Sequence, residues 1–211
     1  MNGEYPVQLS VDYPDRDLDR LTSGLRIFTV IPIAIVLGSL EGFSGRSGAG
    51  GNGAATTIAL GGTGLLFLPP LLMILFRQKY PRWWFDWNLQ LLRFSYRVTV
   101  YLALMNDAYP STDEEQGVHL EFGYPDAERD LNRWLPLVKW LLAIPHYIAL
   151  FFLHIALVVV VIIVWFAILV TGRYPRALFD FVEGVIRWDY RVIAYAIVLV
   201  TDQYPPFSLR P

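Results

Sequence analysis

"KYPRWWFDW" (Lys79–Trp87) and "RYPRALFDF" (Arg173–Phe181) are near-copies 94 positions apart. Laid together without gaps, Lys79–Tyr101 and Arg173–Tyr195 share ten identities in 23. The shared positions include Phe85/Phe179, Asp86/Asp180, Arg93/Arg187, Tyr96/Tyr190, Arg97/Arg191 and Tyr101/Tyr195. The likeness extends outward. "VQLSVDYPD" (Val7–Asp15) resembles "VHLEFGYPD" (Val118–Asp126), and "RDLDR" (Arg16–Arg20) resembles "RDLNR" (Arg129–Arg133). Ile31-Pro32 matches Ile144-Pro145, and both halves close on Asp-x-Tyr-Pro, at Asp107–Pro110 and Asp202–Pro205. Self-similarity of this kind predicts two tandem repeats, 1–111 and 112–211.

Each repeat reads as a strand, two apolar helical segments, a basic Tyr-Pro-Arg turn, an amphipathic helix and a Tyr-Pro stop. Val7, Leu9 and Val11 alternate with polar residues, as do Val118, Leu120 and Phe122. Seven of the fourteen prolines follow a tyrosine. Proline ends a helix and pushes the residue before it toward extended geometry. An amphipathic tyrosine ring suits the place where chain passes between lipid and water.

Composition sets the class. Hydrophobic residues make up 55% and charged residues 17%, against about 25% charged in soluble domains. Residues 140–172 hold no Asp, Glu, Lys or Arg, and further uncharged runs cover 47–76 and 27–40. The expected class is an all-α integral membrane protein of two tandem repeats, each a transmembrane helical hairpin plus an amphipathic helix, with short β-strands at the membrane surface. The first half carries 19 extra residues around the Gly-rich loop 41–57, which must lie in water because its backbone lacks partners in lipid. By repetition, 140–172 is expected to make two passes, turning near Phe152–His154. One tilted helix is the rival reading. Arg77, Lys79, Arg82, Arg173 and Arg176 follow the apolar segments. The positive-inside rule then predicts a multi-pass membrane protein with cytoplasmic termini.

Several chemistries are excluded. With no cysteine, thiolate and Cys-zinc sites are absent. No basic stripe fits nucleic acid. His146 and His154 are eight apart, off the spacing of a helical metal pair. No catalytic, cofactor or metal residues are predicted. The partners expected are the lipid bilayer and a second copy or another membrane protein.

The candidate functional feature is a charged stripe. Asp86, Arg93 and Arg97 stand at i, i+7 and i+11, which places them within about 40° of one helix face. Asp180, Arg187 and Arg191 repeat the pattern. Three readings stay open: a solvated face of an interfacial helix; ion pairs across a pseudo-twofold, Asp86 with Arg187 or Arg191 and Asp180 with Arg93 or Arg97; or a pore lining.

"RWLPLVKWLLAIPHYIALFFL" (Arg133–Leu153), "WFAILVTGRYPRALFDFVEGVIRW" (Trp165–Trp188) and "TDQYPPFSL" (Thr201–Leu209) resemble the bacterial membrane family catalogued as domain of unknown function 4389, in two copies. The resemblance implies a membrane-embedded chain and no specified activity. The function expected is a non-enzymatic scaffold or accessory subunit. The alternative is a small channel or transporter, of anions if the Arg stripes line it.

Overall fold

The computed structural model describes residues 5–14, 17–33, 35, 62–112, 114 and 116–210. The Gly-rich loop 41–57, and residues 34 and 36–40 of the run 27–40, lie outside the described residues. The elements are β1 (Val7–Val11), α1 (Arg20–Thr29), α2 (Gly62–Arg77), α3 (Arg82–Leu102), β2 (Val118–Phe122), α4 (Pro136–Leu142), α5 (Ile144–Thr171) and α6 (Arg176–Ala196). The chain is mostly helical, with one small antiparallel sheet of two strands.

Local signals explain the boundaries. Asp19 caps α1, its carboxylate accepting from the Leu21 N–H. Pro81 and Pro175, both extended, stand at the N-caps of α3 and α6. Left-handed residues follow four helices: Gln78 after α2, Leu104 after α3, Gly172 after α5 and Leu199 after α6. Of these, only Gly172 adopts a positive φ without steric cost. Its N–H closes on the Ile168 carbonyl at 2.8 Å.

The sheet register is Val7↔Phe122, Leu9↔Leu120 and Val11↔Val118. It is centred on Leu9 and Leu120, corresponding residues of the two similar phrases. The apolar alternate residues of both strands point inward, and Gln8, Ser10, His119 and Glu121 point out. One core cluster draws on both sides of residue 111. It joins Leu9 and Leu120 to Ile74 of α2, Tyr96 of α3, Ile168 of α5 and Val182 of α6.

The four-residue link 172–175 folds α6 back along α5. Most of α6 is buried, because neighbours cover it on two sides. Arg187 bonds β1, whereas Asp189, about 200° round the helix, meets His154 of α5.

One expectation requires correction. α5 runs unbroken for 28 residues, so the turn near Phe152–His154 does not exist. No Gly, Pro or Asn stands there, and Pro145 begins the helix, where a missing N–H does no harm. Among the described residues, α5 is the one helix long and apolar enough to cross a membrane. α2 spans 16 residues and contains Pro69 and Pro70.

Three apolar stripes are left exposed. The α1 segment shows Leu21, Leu25, Phe28, Ile31 and Ile35. α2 shows Leu68, Leu72 and Phe76, and α5 shows Ile148, Phe152, Ile155, Ile162, Phe166 and Val170. In the registers of the sequence phrases, Leu68, Leu72 and Phe76 correspond to Ile162, Phe166 and Val170. Ile74 corresponds to Ile168, and both are fully buried.

Candidate functional site

The stripe residues occupy matching helix faces of α3 and α6, and the structure brings the arginines to backbone rather than to carboxylates across the helix pair. Arg93 of α3 donates from Nε to the Leu120 carbonyl of β2 at 2.9 Å. Arg187 of α6 donates from Nε to the Leu9 carbonyl of β1 at 3.1 Å. Arg93 and Arg187 therefore each hold the strand of the other half of the chain, and the strands pair at those two residues. An edge carbonyl with no ladder partner must find a donor once covered, and the guanidinium supplies it.

Arg187 does more than Arg93. It is buried, pairs with Glu183 at 2.8 Å, and donates from Nη1 to the Leu209 carbonyl at 3.2 Å. Glu183 Oε1 in turn accepts from the Val11 N–H at 3.2 Å. In the first half Leu89 stands where Glu183 stands in the second. Arg97 reaches the Ser111 and Thr112 carbonyls at 2.9 and 3.1 Å. Arg191 reaches the Arg210 carbonyl at 3.1 Å, with its guanidinium 5.5 Å from the Tyr5 ring.

The acidic members lie elsewhere. Asp180 pairs with Arg176 on its own helix at 3.2 Å. Asp86 is exposed and joins no ion pair among the described residues. The pairs expected of Asp86 with Arg187 or Arg191, and of Asp180 with Arg93, are not formed. α3 and α6 meet instead through Tyr96 and Tyr190, whose ring centroids are 5.2 Å apart.

Other contacts recur at matching positions. Tyr80 donates to the Val198 carbonyl and Tyr174 to the Ala103 carbonyl. Tyr124 donates to the Tyr80 carbonyl and Tyr13 to the Tyr174 carbonyl. The Arg82 guanidinium sits over Tyr124, and that of Arg176 over Tyr13.

A second paired feature was not read from the sequence. Arg26, 2% exposed, binds Asp107 and the Tyr101 carbonyl and stacks on the Tyr101 ring. Lys139, fully buried, binds Asp202 at 2.7 Å and the Thr201 carbonyl at 2.6 Å, over the Tyr195 ring. The second oxygen of each aspartate accepts a backbone N–H, from Asp19 and Asn132 respectively. Burial pulls both cations below their ordinary pKa, and the aspartates oppose that pull. The repeated Asp-x-Tyr-Pro supplies these aspartates. The signal was present, but Arg26 and Lys139 differ in identity and so escaped an identity-based comparison.

Two histidine contacts belong to the second half alone. His146 is stacked on Phe207 at 4.0 Å and accepts from Trp188 Nε1 at 3.0 Å; its Nε2 has no partner among the described residues. His154 bonds the Leu150 carbonyl and lies 3.4 Å from Asp189. Among the described residues, no group of three His, Asp or Glu is placed to hold a metal ion.

Residues 134–208 match a family model. It is described as a domain of unknown function, DUF4389. The match covers α4, α5, α6 and the segment that follows. No curated protein and no solved structure matches the chain.

Proposed function

We propose that this chain is a non-enzymatic membrane scaffold. Two copies of one unit interlock about a pseudo-twofold axis, held at the bacterial inner membrane with the polar sheet and both ends on the cytoplasmic side. The observation that carries the reading is the reciprocal pair of bonds from Arg93 to Leu120 and from Arg187 to Leu9. Charges positioned to conduct an ion present their donors to a wet path. Here the donors end on strand carbonyls and hold the two halves together. The partner is a second copy or another membrane protein, met through the aromatic, apolar faces.

The test compares wild type with Arg93→Gln and Arg187→Gln in proteoliposomes and detergent. The scaffold reading expects no anion flux from any of the three and a loss of folding stability in the variants. Chloride flux in the wild type that falls in both variants, without loss of stability, would favour the channel and overturn the scaffold.

A further inference from the structure

We infer that α5 lies in the plane of one leaflet instead of crossing the bilayer, so that the α1, α2 and α5 stripes form one lipid-docking face. This rests on the membrane association proposed above and replaces the crossings expected from the sequence.

The argument begins with length. At about 1.5 Å per residue α5 is about 42 Å long, beyond the roughly 30 Å hydrocarbon core. Length alone permits a tilted crossing, but what is packed beside the helix does not. α6 returns along α5 from the 172–175 link. His154 lies 17 residues before the end of α5 and meets Asp189, 13 residues into α6. Those separations are about 26 and 20 Å, so the helices run antiparallel over some two thirds or more of the hydrocarbon core. On the opposite side of α6, Glu183 and Arg187 hold β1. They stand about 10–17 Å along α6, near its midpoint.

A crossing α5 would thus carry the two-stranded sheet to the middle of the bilayer. Its outward residues are Gln8, Ser10, His119 and Glu121, with Asp12 beside them. Lipid-exposed sheet edges and polar loops do not occur at that depth. Turned by a quarter, the same fold separates cleanly. The apolar stripe of α5 faces acyl chains, α6 forms a middle layer, and the sheet faces water. His154 then sits on the flank of α5, about 120° from the centre of its exposed stripe, where a charged partner meets the headgroups.

The rim fits an anionic leaflet. Beside Phe76, at the end of the α2 stripe, Arg77, Lys79 and Arg82 are exposed and join no ion pair among the described residues. Trp83 and Trp87 are exposed next to them. In the second half the matching Arg173 and Arg176 are paired with Asp17 and Asp180. Basic and tryptophan side chains flanking an apolar face mark an in-plane helix.

The chain has no cysteine, which makes a direct test simple. The double variant Glu128→Cys/Arg173→Cys carries one thiol before α5 and one after it. It is reconstituted in phosphatidylethanolamine–phosphatidylglycerol vesicles, treated with a membrane-impermeant maleimide, and weighed as intact protein. The in-plane arrangement gives chains with both thiols labelled or neither. One label per chain overturns the inference and leaves the membrane scaffold standing. A wild-type chain that does not float with the vesicles overturns both. Single nitroxides at Ile148, Ile155, Ile162 and Val170, all surface positions, give a second reading. Equal immersion depth supports the in-plane arrangement, and a maximum at the helix centre refutes it.

Discussion

Replacing Arg187 by Gln should cost far more stability than the same change at Arg93, although the two arginines occupy matching positions. Arg187→Gln removes the donors to the Leu9 and Leu209 carbonyls and leaves the Glu183 carboxylate without its cation. The Glu183 side chain is 15% exposed, so little solvent reaches the abandoned charge. Breaking a buried pair from one side costs roughly 3–5 kcal/mol, and the partial exposure of Glu183 places this case near 3. Arg93 serves the Leu120 carbonyl, is half-buried, and has Leu89 where Arg187 has Glu183. Its loss should cost about 1 kcal/mol, the cost of one unmet acceptor. The double change Arg187→Met/Glu183→Met should recover most of the loss, since apolar replacement of both partners leaves nothing unpaired. The assay is reversible denaturant unfolding in detergent, read by tryptophan fluorescence. Costs near zero at both arginines would refute the clasp, because solvated or pore-lining side chains behave that way. Equal large costs would refute the role given to Glu183.

Three further outcomes follow from other contacts. Gly184→Ala should destabilise by about 1–3 kcal/mol, because the added Cβ would lie 2.8 Å from the Leu209 carbonyl oxygen; faster proteolysis within 203–210 should accompany it, and an unchanged digestion rate would contradict the contact. Asp107→Ala and Asp202→Ala should each cost about 3 kcal/mol, by stranding the buried Arg26 or Lys139, and a difference of more than a factor of two between their unfolding free energies would break the equivalence. Burial raises the pKa of Tyr80, Tyr96 and Tyr174 above the ordinary value of 10.0. The folded chain therefore holds these protons more tightly than the unfolded one, and their contribution, intact below pH 10, should fall as pH rises beyond it. Difference spectra against Tyr80→Phe, Tyr96→Phe and Tyr174→Phe variants should then show the tyrosinate absorbance of these three only together with unfolding.

The duplicated phrases made much of the fold legible. Strand alternation placed β1 and β2, and the Tyr-Pro-Arg turns located the starts of α3 and α6. Hydropathy marked residues 140–172 as one apolar run, but transferring a hairpin into it by analogy failed: a turn needs a breaker, and Phe152–His154 has none. The stripe shows a related limit. A helical wheel tells which side chains share a face, but not what that face meets. Arg93 and Arg187 found strand carbonyls, and a backbone acceptor carries no residue identity that sequence can display. Lys139 stayed hidden for a different reason: a lysine in a polar-flanked apolar segment looks like a snorkelling side chain until Asp202 is seen beside it.

The differences between the halves carry the remaining information. Positions that agree hold the architecture: the stripe arginines, the tyrosines that reach across, and the aspartates under the buried cations. Four positions that disagree lie on α6 or in the first turn of α5. Glu183, Gly184, Asp189 and His146 of the second half replace Leu89, Gln90, Ser95 and Ile33 of the first. Each of the four touches β1, the chain end near Leu209, α5, or the aromatic side chains that close over His146. The first half instead keeps a basic turn that joins no ion pair among the described residues, and the Gly-rich insertion. The polar departures of the second half lie where α5, α6 and the chain end converge, within or beside the span that matches the family model. The basic departure of the first half lies at the end of the exposed α2 stripe.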